Sequence, residues 1–353
     1  MFFLESLLNN HIFIIEQFIL SLGYAGVFIA AAMLAAVFLI SSVMHLILHE
    51  FGHFVFGKLT NHKLISFRIF NLTFVKAPEG VKITKYGQKG SIGQCIMLPQ
   101  NQDSWALCTL GGVIVNLVIS LVALIVATWA SNPMLVVFSY DTLISGIIII
   151  LVNLIPVFDG TNDGSSFLAL LKNPLARECR YKQLRITEHL TNGKTYKAIP
   201  TDLFEVKAEN KDHTNVMVCY LKIMKFYRLI DIGDLEQAGH VINELYKRLD
   251  SFRKSIRTDI LLEKYYYELL VDTKEGVVDI EEIKDILNEN INDANLIRVQ
   301  ILHSLAVGDI KKVKDLQEMI KHLADKYPYP GEIAFNLNQI HFHTRELDMQ
   351  LAV

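Results

Sequence analysis

Residues 49–53 read His-Glu-Phe-Gly-His, and they close one of the most apolar stretches in a chain of 353 residues. Residues 24–56 contain no Lys, Arg or Asp, and their one acid is Glu50, inside the pentapeptide. On a helix His49 and His53 lie one turn apart on one face, so two imidazoles can reach a single metal ion. Glu50, beside the first histidine, is placed to hold an attacking water and take its proton. On a soluble helix the same pattern can be no more than polar surface. In an apolar helix that plain reading fails, because ionisable groups in lipid are costly and usually functional. The expected cofactor is Zn2+, with His49 and His53 as ligands and Glu50 as general base. His45 extends the stripe one turn earlier. It reads as a polar contact within a helix bundle, since two histidines and a distant carboxylate already satisfy a catalytic zinc.

Composition divides the chain. Hydrophobic residues make up 51% and charged residues 20%, with a net charge of −3. That average hides a boundary near Gly164: residues 1–164 carry 7 Lys/Arg and 8 Asp/Glu, and the remainder carries 27 and 29. The first part reads as a membrane domain and the second as a charge-rich soluble one. Balanced charge in the second part excludes a nucleic-acid surface, which needs a clustered basic excess. Cys95, Cys108, Cys179 and Cys219 have no close CxxC spacing, so neither a disulfide framework nor a cysteine zinc site is expected. The N-terminus lacks the basic start of a cleavable signal peptide.

Three stretches are long enough to cross a bilayer as helices, which takes ~20 residues. They run over residues 24–56, 105–129 and 134–158, the second with a tryptophan at each end. Residues 2–22, interrupted by Glu5, Asn9, Asn10, Glu16 and Gln17, stay open between a fourth N-terminal span and a segment lying on the membrane. The connection over residues 58–89 carries seven lysines and arginines against Glu79, whereas Ser131 to Pro133 carry no charge. The positive-inside bias then puts the basic connection and the C-terminal half in the cytoplasm. The zinc motif and the end of the third span share that side.

At the end of the third span stands Asn153-Leu-Ile-Pro156-Val-Phe-Asp159-Gly160-Thr-Asn-Asp163-Gly164. With this second motif the chain resembles the site-2 protease family of intramembrane zinc metalloproteases, in the bacterial form without a PDZ domain. The resemblance covers about residues 30–175 and includes Gly111-Gly112-Val113-Ile114-Val115-Asn116 and Gly93-Gln94-Cys95-Ile96-Met97-Leu98-Pro99. It implies an Asp as third zinc ligand and a contact of Asn153 with the substrate backbone or with the hydrolytic intermediate, against a plain bond from Asn153 to its own helix. Where the family commonly has its Asp this chain has Thr161, flanked by two Asp-Gly pairs. Asp163 is favoured, because Ser165 to Leu171 follow it and read as a helix; Asp159, as a turn residue, is the alternative. Pro156 should break its helix and free backbone groups near the metal. Gly111, Gly112 and Asn116 read as close helix packing.

Residues 63–97 alternate polar and apolar around Pro78-Glu79-Gly80, which suggests a β-hairpin. The resemblance implies that this hairpin is membrane-associated and pairs with an extended substrate. The remainder shows helical periodicity, with Gly-Asp starts at Gly233-Asp234 and Gly308-Asp309 that hint at tetratricopeptide-like helix pairs. The expected architecture is thus an α-helical polytopic membrane protein. A transmembrane metalloprotease domain over residues 1–175 precedes an all-α cytoplasmic domain over residues 176–353. The expected partners are a membrane-embedded protein or peptide substrate and the lipid bilayer. A cytoplasmic regulator or a second copy would engage the C-terminal domain. Two other functions fit less well. A catalytically silent scaffold has no need of His49, Glu50 and His53 together, and a CAAX-type membrane protease would need a Glu ligand on a later helix.

Overall fold

The computed structural model describes residues 2–21, 23, 26–87, 91–156, 162–207, 215–252, 254–271, 276–289 and 292–351. Contacts divide the chain into two units, Met1–Asn61 with Ser104–Leu168, and His62–Asp103 with Ala169–Val353.

The first unit is helical. It holds α1 (Phe2–Ser21), α2 (Gly26–Leu59), α3 (Ala106–Trp129), α4 (Pro133–Leu154) and the start of α5 (Asp163–Lys172). Among the described residues α2, α3 and α4 are long and apolar enough to cross a membrane. Their faces are arranged for that solvent. Outward they expose Val27, Phe28, Leu39 and Ile40 on α2, Leu121, Val122 and Ile125 on α3, and Ile144, Ile147 and Ile148 on α4. Inward they bury Ser41, His45, Asn116, Ser120, Ser139, Thr142 and Ser145. A water-soluble bundle puts its apolar stripe inside. Here small and polar residues make up most of the interior, beside Val113, Val136, Val137 and Ile149, as they do where lipid covers the outside. The polar side chains are satisfied by one another and by backbone carbonyls: Ser41 Oγ and Thr142 Oγ1 are 3.2 Å apart, and Ser120 Oγ donates to the Asn116 backbone carbonyl at 2.8 Å. Asn132 caps α4 by accepting from the amides of Met134 and Leu135, with Pro133 in the first turn. Of residues 2–22, left open by the sequence, Phe2–Ser21 form α1, which packs on α2 and α4 and is held by His11 Nδ1 at 2.8 Å from Tyr140 OH. It is not one of the three apolar spans.

The second unit starts with a sheet larger than the expected hairpin. β1 (His62–Ile69), β2 (Leu72–Ala77), β3 (Gly80–Lys85) and β4 (Gly93–Pro99) pair antiparallel in the order β3-β2-β1-β4. The Pro78-Glu79-Gly80 turn lies between β2 and β3, with Gly80 at φ +140°. The additional pairing is β4 on the free edge of β1, from His62↔Pro99 to Ile69↔Gly93. It joins strands far apart in the chain, which local alternation cannot disclose. One sheet face buries Ser66, Arg68, Thr73, Val75 and Thr84. The opposite face leaves Leu72, Val81 and Ile83 exposed. Ile65 and Leu98 form a small core with Leu184 of α6 (Pro174–Thr191), and Lys63 Nζ lies 2.5 Å from Glu188. Those contacts group the sheet with the C-terminal helices, so the division differs from a single domain over residues 1–175.

The rest of this unit is all-α: α7 (Val216–Ile232), α8 (Leu235–Tyr246), α9 (Lys254–Leu270), α10 (Ile280–Leu287), α11 (Ala294–Ala306), α12 (Ile310–Ala324) and α13 (Pro330–Leu351). The two Gly-Asp pairs are corners of helix hairpins. Gly233 ends α7 and Gly308 follows α11, both left-handed (φ +81° and +75°), as helix C-termini commonly require. Asp234 and Asp309 then cap α8 and α12 by accepting from Gln237 and Lys312 amides. Inside, Arg298 donates to both oxygens of Glu263 at 2.8 Å and stacks over Tyr266. The core around it is aromatic, with Tyr196, Tyr227 and Phe335 in mutual ring contact.

Candidate metal centre

α2 carries His49, Glu50 and His53, and its helical turn places both rings on one face, 4.9 Å apart and nearly perpendicular. The third component arrives from the break after α4. Pro156 has no N–H, so the Val152 carbonyl loses its helical donor. Asn162 replaces it: its Nδ2 donates to Val152 at 2.7 Å and to Ile155 at 2.6 Å, and its Oδ1 accepts from the Ser165 amide at 3.0 Å. One side chain therefore ties the end of α4 to the first turn of α5. Asp163, the next residue, is held by that knot. Gly164 is required by close approach, because a Cβ there would run into the Leu154 carbonyl.

Asp163 Oδ2 lies 3.0 Å from His49 Nε2 and 3.3 Å from His53 Nε2, and the two Nε2 atoms are 3.3 Å apart. A tetrahedral zinc with bonds of ~2.0–2.1 Å keeps its ligands about 3.3 Å apart. The triangle matches that spacing on all three sides. Asp163 Oδ2 is also buried, with no partner beyond the two imidazole nitrogens that face it. A buried carboxylate normally costs stability unless it is paired. A cation among the three atoms removes the cost, and His49, His53 and Asp163 are together suited to hold one. Asp159, the alternative ligand, lies outside the described residues.

The rings are fixed from behind. His53 Nδ1 is 2.8 Å from the Cys108 carbonyl, which can only accept, so Nδ1 carries the proton and in the neutral ring Nε2 keeps a lone pair that could bind a metal. His49 Nδ1 is 3.1 Å from Asn116 of α3. Asn116, read from the sequence as packing, therefore touches the candidate ligand His49 directly. The two glycines do serve packing. The backbones of α2 and α3 touch at Gly52 and Gly111, where a Cβ on either would enter the other's carbonyl. At Gly112 a Cβ would sit 2.6 Å from the His49 ring. His45 stays in the bundle interior as a polar contact, bonded to Asn116 and to the Thr142 carbonyl.

Asn153 uses one N–H on its own helix, donating to the Ile149 carbonyl at 2.9 Å, which is the plainer of the two roles read for it. Among the described residues its Oδ1 has no hydrogen-bond donor. The motif reading gave Asn162 no role and Asn116 only a packing role. Asn162 could have been found as an N-cap residue ahead of a helix, and Asn116 by its matching position on the facing span.

Asn162→Ala removes the α5 cap and both bonds to α4. The expected result is a loss of about 1–2 kcal/mol in stability and roughly tenfold weaker zinc binding. Thermal unfolding and competition with a chromophoric chelator measure the two. Undiminished affinity would show that Asp163 does not depend on the knot.

Compared with known proteins, the chain matches no family model, no curated protein and no solved structure.

Proposed function

We propose that this chain is an intramembrane zinc metalloprotease of the site-2 type, hydrolysing peptide bonds in membrane-embedded protein or peptide substrates. One observation carries the reading: His49 and His53 of an apolar helix meet Asp163 in a triangle of zinc dimensions, with Glu50 beside the first ligand. Zinc held by His49, His53 and Asp163 would polarise the scissile carbonyl and make water acidic enough to lose a proton near neutral pH.

The chain's own residues account for the rest. Glu50 takes the proton from the attacking water and passes it to the departing amine nitrogen. Asn153, with its Oδ1 not engaged by its own helix, orients the extended substrate backbone. The polar interior of the bundle tolerates the water that hydrolysis consumes, whereas the outer faces meet lipid. The protein is a multi-pass protein of the cell membrane. The lysine-rich connection supports a topology with the motif end of α2 and the C-terminal domain on the cytoplasmic side. That domain engages a regulator, the substrate or a second copy.

The test is cleavage of a panel of transmembrane peptides reconstituted with the purified protein, with zinc content measured in parallel. Cleavage blocked by 1,10-phenanthroline and restored by zinc is expected. A protein without stoichiometric zinc would overturn the reading. A zinc-loaded protein that cuts nothing across the panel would favour the silent scaffold.

A further inference from the structure

We infer that His45 is a positioning residue for the zinc ligand His49, acting through Asn116 by a directed chain of hydrogen bonds across three helices; the inference rests on the zinc reading of the site. His45 and Asn116 are both fully buried in the bundle interior. His45 Nε2 lies 2.9 Å from the Thr142 carbonyl of α4, and His45 Nδ1 lies 3.1 Å from the Asn116 amide of α3. The other end of that amide is 3.1 Å from His49 Nδ1. The chain thus runs Thr142, His45, Asn116, His49.

Its direction follows from which groups can donate. The Thr142 carbonyl only accepts, so His45 Nε2 carries the proton. In a neutral His45 ring Nδ1 is then a lone pair, and Asn116 must present its NH2 to it. The Asn116 Oδ1 consequently faces His49 and accepts from Nδ1–H. That leaves the His49 Nε2 lone pair pointing at Asp163 and His53, where a metal needs it. The opposite setting, with Oδ1 toward His45 and Nδ2 toward His49, is the one the atoms occupy, and a half-turn of the amide exchanges the two. That setting requires a charged His45 in the bundle interior, which is costly. It also puts the proton of a neutral His49 on Nε2, in the path of the metal. Only one amide setting keeps both rings neutral and the metal lone pair free.

Partners of this kind orient a ligand and hold its tautomer, and their loss typically costs ~10–100-fold in metal affinity. Gln at position 45 can preserve the direction, since its Oε1 accepts from Asn116 and its Nε2–H donates to Thr142. Leu preserves bulk but neither bond.

The experiment is zinc affinity of the purified full-length protein in detergent, by competition with a chromophoric chelator. His45→Leu should bind zinc ~10–100-fold more weakly than wild type, and His45→Gln should return close to wild type. If both match wild type, the chain has no role and the inference falls while the site reading stands. If both lose zinc equally, His45 matters by shape alone and the directed chain is wrong. Should His45→Leu not fold, Asn116→Asp and Asn116→Leu repeat the comparison. Asp keeps an acceptor for His49 Nδ1–H and should hold zinc better than Leu, and equal affinities would overturn the inference. A wild type that binds no zinc removes the site reading and this inference together.

Discussion

The Glu50→Gln protein is expected to purify folded, with as much zinc as wild type, and to cleave at least ~10²–10⁴-fold more slowly, the usual worth of a positioned general base. The substitution is nearly isosteric and touches none of the three atoms that form the metal triangle. What changes is the proton. A carboxylate can take one from water and an amide cannot, so binding survives while turnover does not. The comparison isolates Glu50 from its neighbours, because His49→Ala or His53→Ala should lose zinc and activity together. Metal analysis and cleavage on the same preparations decide it. Turnover near wild type in Glu50→Gln would remove Glu50 from the chemistry, and loss of zinc would make it a ligand or a structural anchor.

The spans were legible because length and hydropathy are local properties. α2, α3 and α4 begin and end within a few residues of the apolar stretches, apart from α4, which stops at Leu154 because Pro156 cannot continue it. The pair His49 and His53 was legible because the helical period alone brings them together. Legibility fails where partners come from different helices. Asn116 stands between His45 and His49 only because α2 and α3 cross at Gly52 and Gly111, and no spacing along the chain encodes that crossing. The pairing of β1 with β4 was hidden for the same reason. The Gly-Asp pairs lie between these cases. Their sequence identity was visible, and their meaning as left-handed corners followed by caps needed backbone angles.

The third ligand is the second large expected effect. Asp163→Ala should weaken zinc binding about 10²–10⁴-fold, roughly a third of the ~10–16 kcal/mol that holds a structural zinc, and so lose the metal on dialysis as a histidine variant does. Asp159→Ala should keep it. The difference follows from what fixes each carboxylate. Asp163 follows Asn162, whose three bonds join α4 to α5, and precedes Gly164, whose lack of a side chain lets that turn approach Leu154. A short carboxylate anchored on both sides delivers its oxygen to 3.0 and 3.3 Å from the two imidazoles without losing much further freedom. The stability comparison adds a second readout. In the zinc-free state Asp163 Oδ2 faces the two imidazole nitrogens at 3.0 and 3.3 Å, and removing it should abolish the stabilisation that added zinc gives wild type. Thermal midpoints of wild type, Asp159→Ala and Asp163→Ala, each with and without zinc, therefore test the ligand independently of activity. A zinc-dependent rise that survives in Asp163→Ala and disappears in Asp159→Ala would transfer the ligand to Asp159, and with it the function assigned to the knot at Asn162.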